Sequence, residues 1–176
     1  MRIAVTAVVF SISVFAASCG EPEPLPEGAN ARVTHVIDGD TIDMRFTVDG
    51  HSFDDRVRLI GIDTPETKKP GSPIECFGPE ASHRTSELLP AGTPVMVHRD
   101  IEPRDDYGRL LAYVIRTSDR LFVNEELLDE GMATTLSIAP NDRLKTRFAT
   151  VEAGAHSARR GLWGSCFDEV AGSVTP

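Results

Sequence analysis

Positive charge is scarce in this 176-residue sequence: 18 lysines and arginines face 27 aspartates and glutamates, a formal net charge of −9. That balance excludes a protein that grips polyanions through a bulk positive field, so any phosphate it binds must be held by a few placed cations. Long apolar runs are missing from the body of the chain, where no stretch reaches the roughly 18 residues that a bilayer-spanning helix needs. Internal repeats are absent. The five histidines, His35, His51, His83, His98 and His156, include no close-spaced pair of the zinc-site kind, which leaves a zinc hydrolase without ligands. Cysteines number three, so they cannot all pair within one chain. What is there is 40% hydrophobic residues, enough for a buried core, on a length that suits one domain plus appendages.

The N-terminus stands apart. Arg2 precedes an uncharged apolar stretch, Ile3 to Ala17, which exits through Ala16, Ala17 and Ser18 to Cys19. A basic start, a short apolar run and a small-residue exit read as an export signal over residues 1–18. A buried N-terminal helix fits less well, because a proline- and glutamate-rich tether follows over residues 19–30. Small residues directly before a cysteine resemble a bacterial lipoprotein signal, in which Cys19 takes lipid. The protein is then held on the outer side of the cytoplasmic membrane; plain secretion is the other outcome. If Cys19 is lipidated, Cys76 and Cys166 remain. Export places them in an oxidising compartment, so the expectation is a disulfide rather than two free thiols.

From residue 31 to 168 the pattern is that of one folded domain, with a flexible tail expected at 169–176. Arg32 to Ile37 is rich in β-branched residues and ends at the turn Asp38-Gly39-Asp40. Ile42, Met44, Phe46 and Val48 alternate with polar residues, a half-buried strand. A third strand runs from Phe53 to Ile62 after the Asp49-Gly50 hairpin turn. Pro79 and Glu80 open a helix that ends near Leu89. Strands follow at Pro94–His98 and Tyr107–Arg116, then a helix from Val123 to Glu130. A last helix, capped by Asn141 or Asp142, runs to about Arg160. Five short strands with a helix between the third and fourth predict an α+β, mainly β chain. Its architecture is an OB-type five-stranded barrel with three helices.

Three carboxylates fall at strand ends and turns. Asp40 continues the inward line of Ile42, Met44 and Phe46 and so sits at the mouth of the barrel, where a carboxylate must be paired or bound to a metal. Asp63 terminates the third strand and Glu66 lies past Pro65. Oxygen ligands of this kind suit a hard cation such as Ca²⁺. Arg58 and Arg109 add planar guanidinium groups suited to phosphate. In a flat strand Arg58 and Asp63 point to opposite faces, so the strand must bend between them, and Gly61 is the natural place. Taken singly, each has a plainer reading: a turn, a surface ion pair, a helix start.

Together these stretches resemble the staphylococcal nuclease family. Val36-Ile37-Asp38-Gly39-Asp40-Thr41, Arg58 to Thr67, Phe77-Gly78-Pro79-Glu80-Ala81, Asp105 to Tyr113 and Val123-Asn124-Glu125 each match a family motif, and the likeness spans residues 31 to 167. The resemblance implies a calcium-dependent endonuclease that hydrolyses DNA and RNA and leaves 3′-phosphates. By position it assigns Asp40, Asp63 and the Thr64 carbonyl to calcium. Glu66 becomes the general base, Arg58 and Arg109 the phosphate-binding catalytic arginines, and Tyr107 a substrate contact. It also supports a Cys76–Cys166 bridge and implies a monomer with no obligate protein partner.

Two departures stand out. Asp106 occupies a position where the family's prototype has lysine, and Thr135 to Ala139 replaces a segment with tyrosines that pack near the nucleotide. Both, with the acidic charge, favour weaker substrate binding. The rival from another class is a catalytically silent OB-fold module that binds nucleic acid or protein. Such a binder has no need of Asp40, Arg58, Asp63, Glu66 and Arg109 together.

Overall fold

Alternating burial builds the barrel. The chain is seen in a computed structural model that describes residues 30–67, 71 and 73–166. The expected export signal with Cys19, the tether up to residue 29 and the tail at 169–176 lie outside these residues. Strand β1 (Asn30–Asp38) pairs antiparallel with β2 (Thr41–Val48), and β2 with β3 (His51–Leu59). After β4 (Gly61–Asp63) and helix α1 (Gly78–Leu88) come β5 (Pro94–His98) and β6 (Leu110–Arg116). The order β1-β2-β3-β6-β5 closes on itself through Ala31 opposite Val95, with β3 and β6 parallel. Helix α2 (Val123–Asp129), strand β7 (Thr134–Leu136), helix α3 (Lys145–Ser157) and the single turn α4 (Leu162–Ser165) complete it. This is the expected five-stranded barrel with three helices. Ile42, Met44, Phe46, Val57, Leu59 and Val97 fill its interior.

Three expectations are corrected. The third strand does not run straight to Ile62. It leaves the barrel at Ile60, and β4 pairs instead with β7, Gly61 opposite Leu136 and Asp63 opposite Thr134. The fifth strand starts at Leu110 rather than Tyr107, because the Asp105 carboxylate accepts the N–H groups of Tyr107 (3.1 Å) and Arg109 (2.9 Å) and curls that segment into a turn. The last helix begins at Lys145, not at an Asn141 cap. The Asn141 side chain instead accepts from the Glu102 N–H (2.8 Å) and donates to the Glu102 carbonyl (2.9 Å), latching two loops together. That helix also stops at Ser157, short of Arg160.

The departure of β4 is what positions the site. Gly61 has φ of 80°, and a Cβ there would meet the Phe148 ring at 2.5 Å, so only glycine fits. Asn124, fully buried on α2, fixes the bend: its side chain donates to the Ile60 carbonyl (3.0 Å) and accepts from the Val114 N–H (2.9 Å).

Candidate active site

The Asp38-Gly39-Asp40 turn is gripped from two sides. On α1, Ser82 Oγ donates to Asp38 Oδ1 (2.6 Å) and Thr85 Oγ1 to the Gly39 carbonyl (2.7 Å). From the other side the Thr64 side chain packs onto Gly39 so closely that a Cβ would lie 2.6 Å from Thr64 Oγ1. Asp40 is thereby held at the barrel mouth, 7% exposed. Its Oδ2 accepts the Thr64 N–H (3.1 Å) and hydroxyl (3.2 Å), and its Oδ1 accepts from Thr41 Oγ1 (3.0 Å).

Arg58 ties the two aspartates together. One guanidinium nitrogen, Nη2, lies 3.0 Å from Asp40 Oδ2 and 2.8 Å from Asp63 Oδ1. The other terminal nitrogen donates to the carbonyls of Leu59 and Ile62 (2.9 Å), so the guanidinium also staples the inside of the Gly61 bend. The bend resolves the parity conflict: Arg58 and Asp63, five apart, face one site. Arg109 is aimed by Asp105, which accepts from its Nε at 2.7 Å, and its Nη1 lies 3.4 Å from Thr41 Oγ1. Its guanidinium stands 5.4 Å from the centre of the exposed Tyr107 ring. Thr41 therefore links Asp40 to Arg109, and four of the expected residues share one frame.

Glu66 lies half-buried beyond Pro65. With Thr41, Tyr107 and Arg109 it lines an open groove of about 930 Å³. A second cavity of about 590 Å³, lined by Arg58, Ile62, Leu136 and Ile138, shares Tyr107 and Arg109 with the first. Arg109 and Tyr107 line both, with Glu66 in the first and Arg58 in the second.

Charge around these groups is unbalanced. Burial pushes the Asp63 carboxyl above the usual range. Arg58 opposes that rise, while Asp40, Glu75 and Glu66 add to it. Asp38 is different: burial would raise it, but hydrogen bonds from Ser82, Thr67 and the Gly39 N–H help hold it low.

Residues 56–165 match the family described as Staphylococcal nuclease homologue. A thermonuclease of Staphylococcus intermedius is 40% identical over 136 residues, 77% of this chain and 77% of that protein. A thermonuclease of Staphylococcus hyicus is 36% identical over 132 residues, 75% and 74% of the two chains. Endonuclease YncB of Bacillus subtilis (strain 168) is 38% identical over 135 residues, 76% of this chain and 61% of its own length.

The chain belongs to the staphylococcal nuclease family. As a staphylococcal nuclease homologue it offers oxygen donors only: the Asp40 and Asp63 carboxylates, which converge on one arginine nitrogen, and the neighbouring Thr64 carbonyl. Among the described residues no three acidic, histidine or cysteine side chains form a closed metal cage. Two carboxylates and a carbonyl leave most positions of a six- to eight-coordinate cation to water and phosphate oxygens, which fits calcium. The mutual repulsion of Asp63 with Asp40, Glu66 and Glu75 is what a divalent cation would offset.

Cys76 and Cys166 form a disulfide. Sequence reasoning missed Asp38, Thr41, Glu75 and Asn124 as parts of this site. Asp38 and Thr41 stand inside the first motif, but nothing in its spacing marks them as partners of the site. Glu75 carried no signal, because its contact with Glu66 depends on how the intervening loop closes.

Proposed function

We propose that this chain is an exported, calcium-dependent nuclease that hydrolyses phosphodiester bonds of DNA and RNA and leaves 3′-phosphates. The observation that carries the reading is Arg58. One partly buried guanidinium is ion-paired with both aspartates, beside a second arginine reached through Thr41, in a member of a nuclease family.

The chain's residues divide the work. Arg58 and Arg109 bind the scissile phosphate and offset the charge that grows as a fifth oxygen adds to phosphorus. Arg58 is held in place beforehand by the Leu59 and Ile62 carbonyls. Glu66 accepts a proton from the attacking water. The water oxygen bonds to phosphorus, the P–O5′ bond breaks, and the 5′ oxygen takes a proton from solvent water to leave as a hydroxyl. Tyr107, exposed beside Arg109, contacts the nucleotide. Asp40, Asp63 and the Thr64 carbonyl would hold calcium, which when bound supplies Lewis-acid stabilisation of phosphoryl charge.

Export is supported by the Cys76–Cys166 bridge, since such bonds persist in oxidising compartments. Attachment through a lipidated Cys19 is part of the same proposal.

The test is digestion of single-stranded DNA, plasmid DNA and RNA by purified protein with calcium, with a chelator, and with Glu66→Gln. Cleavage that needs calcium and falls by about 10²-fold or more in the variant is expected. Failure of the folded wild type across several metals would leave the silent binding module standing.

A further inference from the structure

The Glu66 backbone is held by a residue outside the motifs. Its N–H donates to Glu75 Oε2 at 2.9 Å, and the Glu75 N–H donates back to the Glu66 carbonyl at 3.0 Å. Two bonds therefore join residues nine positions apart. Beyond Glu66, Thr67 donates through its hydroxyl to Asp38 Oδ1 at 2.8 Å. Glu75 is itself anchored: its carbonyl accepts the Gly78 N–H at 3.1 Å where α1 begins, and the next residue, Cys76, is bonded to Cys166 at the end of α4.

The placement carries an electrostatic cost. Glu75 is one of the charges that push the Asp63 carboxyl upward, so an additional carboxylate sits in an already acidic site. A charge-assisted bond to a peptide N–H offsets that cost, being stronger than a neutral one. No other contact of the Glu75 carboxylate is needed to account for its position.

The geometry points to Glu75 as the positioning residue for Glu66. Its carboxylate holds the Glu66 peptide while α1 and the disulfide hold Glu75, so the Glu66 side chain keeps its place at the groove beside Asp38 and Arg109. The inference rests on Glu66 being the base of the proposed reaction. Residues that orient a reacting group in this way alter rate rather than substrate affinity when removed.

The test compares wild type, Glu75→Ala, Glu75→Gln, Glu66→Gln and the Glu66→Gln/Glu75→Ala double variant on one oligonucleotide with calcium. Glu75→Ala should lower kcat by about 10-fold or more with KM unchanged. Glu75→Gln, whose amide oxygen still accepts the N–H, should recover most of the loss. The double variant should be no slower than Glu66→Gln alone, because the two act as one unit. Without calcium, amide hydrogen exchange at Glu66 should speed up in Glu75→Ala at an unchanged melting temperature. A wild-type kcat in Glu75→Ala, or an equal loss on the Glu66→Gln background, would overturn the role of Glu75 alone. Full activity of Glu66→Gln would overturn the base assignment, and this inference with it.

Discussion

Arg58 shows how much can depend on one planar group. It donates to the Asp63 carboxylate and two carbonyls and forms an ion pair with Asp40, while keeping its side chain 12% exposed. Lysine, a point charge on a flexible stem, cannot match that fork. Arg58→Lys should therefore lower kcat/KM by roughly 10²–10³-fold in steady-state cleavage. Arg45→Lys, on the exposed pair with Asp54, should leave it unchanged. Gly61 is the second residue on which the site turns. Gly61→Ala combines a disfavoured φ with a clash against the buried Phe148 ring. A loss of about 2 kcal/mol or more in denaturant unfolding is expected, and a stability equal to wild type would refute the constraint. Both residues were legible in the sequence, Arg58 by its motif and Gly61 by the parity conflict it relieves. Asp38, Thr41 and Glu75 were not legible as site partners. Each acts by a hydrogen bond to a group brought near only by the fold, and no spacing announces that.

At the level of elements, the start of α1 is tied to a distant part of the chain. The Cys76–Cys166 bond joins it to the end of α4 across a sequence separation of 90. Closing so long a loop in the unfolded chain corresponds to about 4–5 kcal/mol of stability from chain entropy. Denaturant unfolding with and without reductant, or of Cys76→Ser/Cys166→Ser, should show a loss of that order. A loss below about 1 kcal/mol would mean that the unfolded chain is already confined there. Most strands and helices were readable from alternation, turn residues and caps. Strand β7 was not, because three residues carry no period and its pairing with β4 exists only once Gly61 has turned β4 out of the barrel. The N-terminus of α3 was misplaced for a related reason. Asn141 looks like a cap by residue type, yet its side chain serves a loop latch to Glu102 that only the tertiary fold brings within reach.

For the whole molecule, the question is how a chain with net charge −9 holds a polyanion. Several of its arginines are engaged in ion pairs: Arg56 with Asp43, Arg104 with Asp55 and Arg45 with Asp54. Arg58 and Arg109, themselves paired with Asp40, Asp63 and Asp105, are the cations proposed to meet phosphate. The long-range field opposes encounter, while the local kit for chemistry is intact, so the expected signature is a raised KM with kcat retained. Two phosphate contacts correspond to a slope of about −1.4 for log(1/KM) against log salt on single-stranded DNA. Asp106 tests this directly, since it borders the Tyr107 cavity where the family's prototype carries lysine. Asp106→Lys should lower KM, leave kcat unchanged and steepen the salt slope by about 0.7 if the new cation reaches a phosphate. A wild-type KM equal to that of a basic relative at matched salt would show that the field is irrelevant to binding. A fall in KM from Asp106→Lys without a change in slope would place the effect in relief of repulsion rather than in a new phosphate contact.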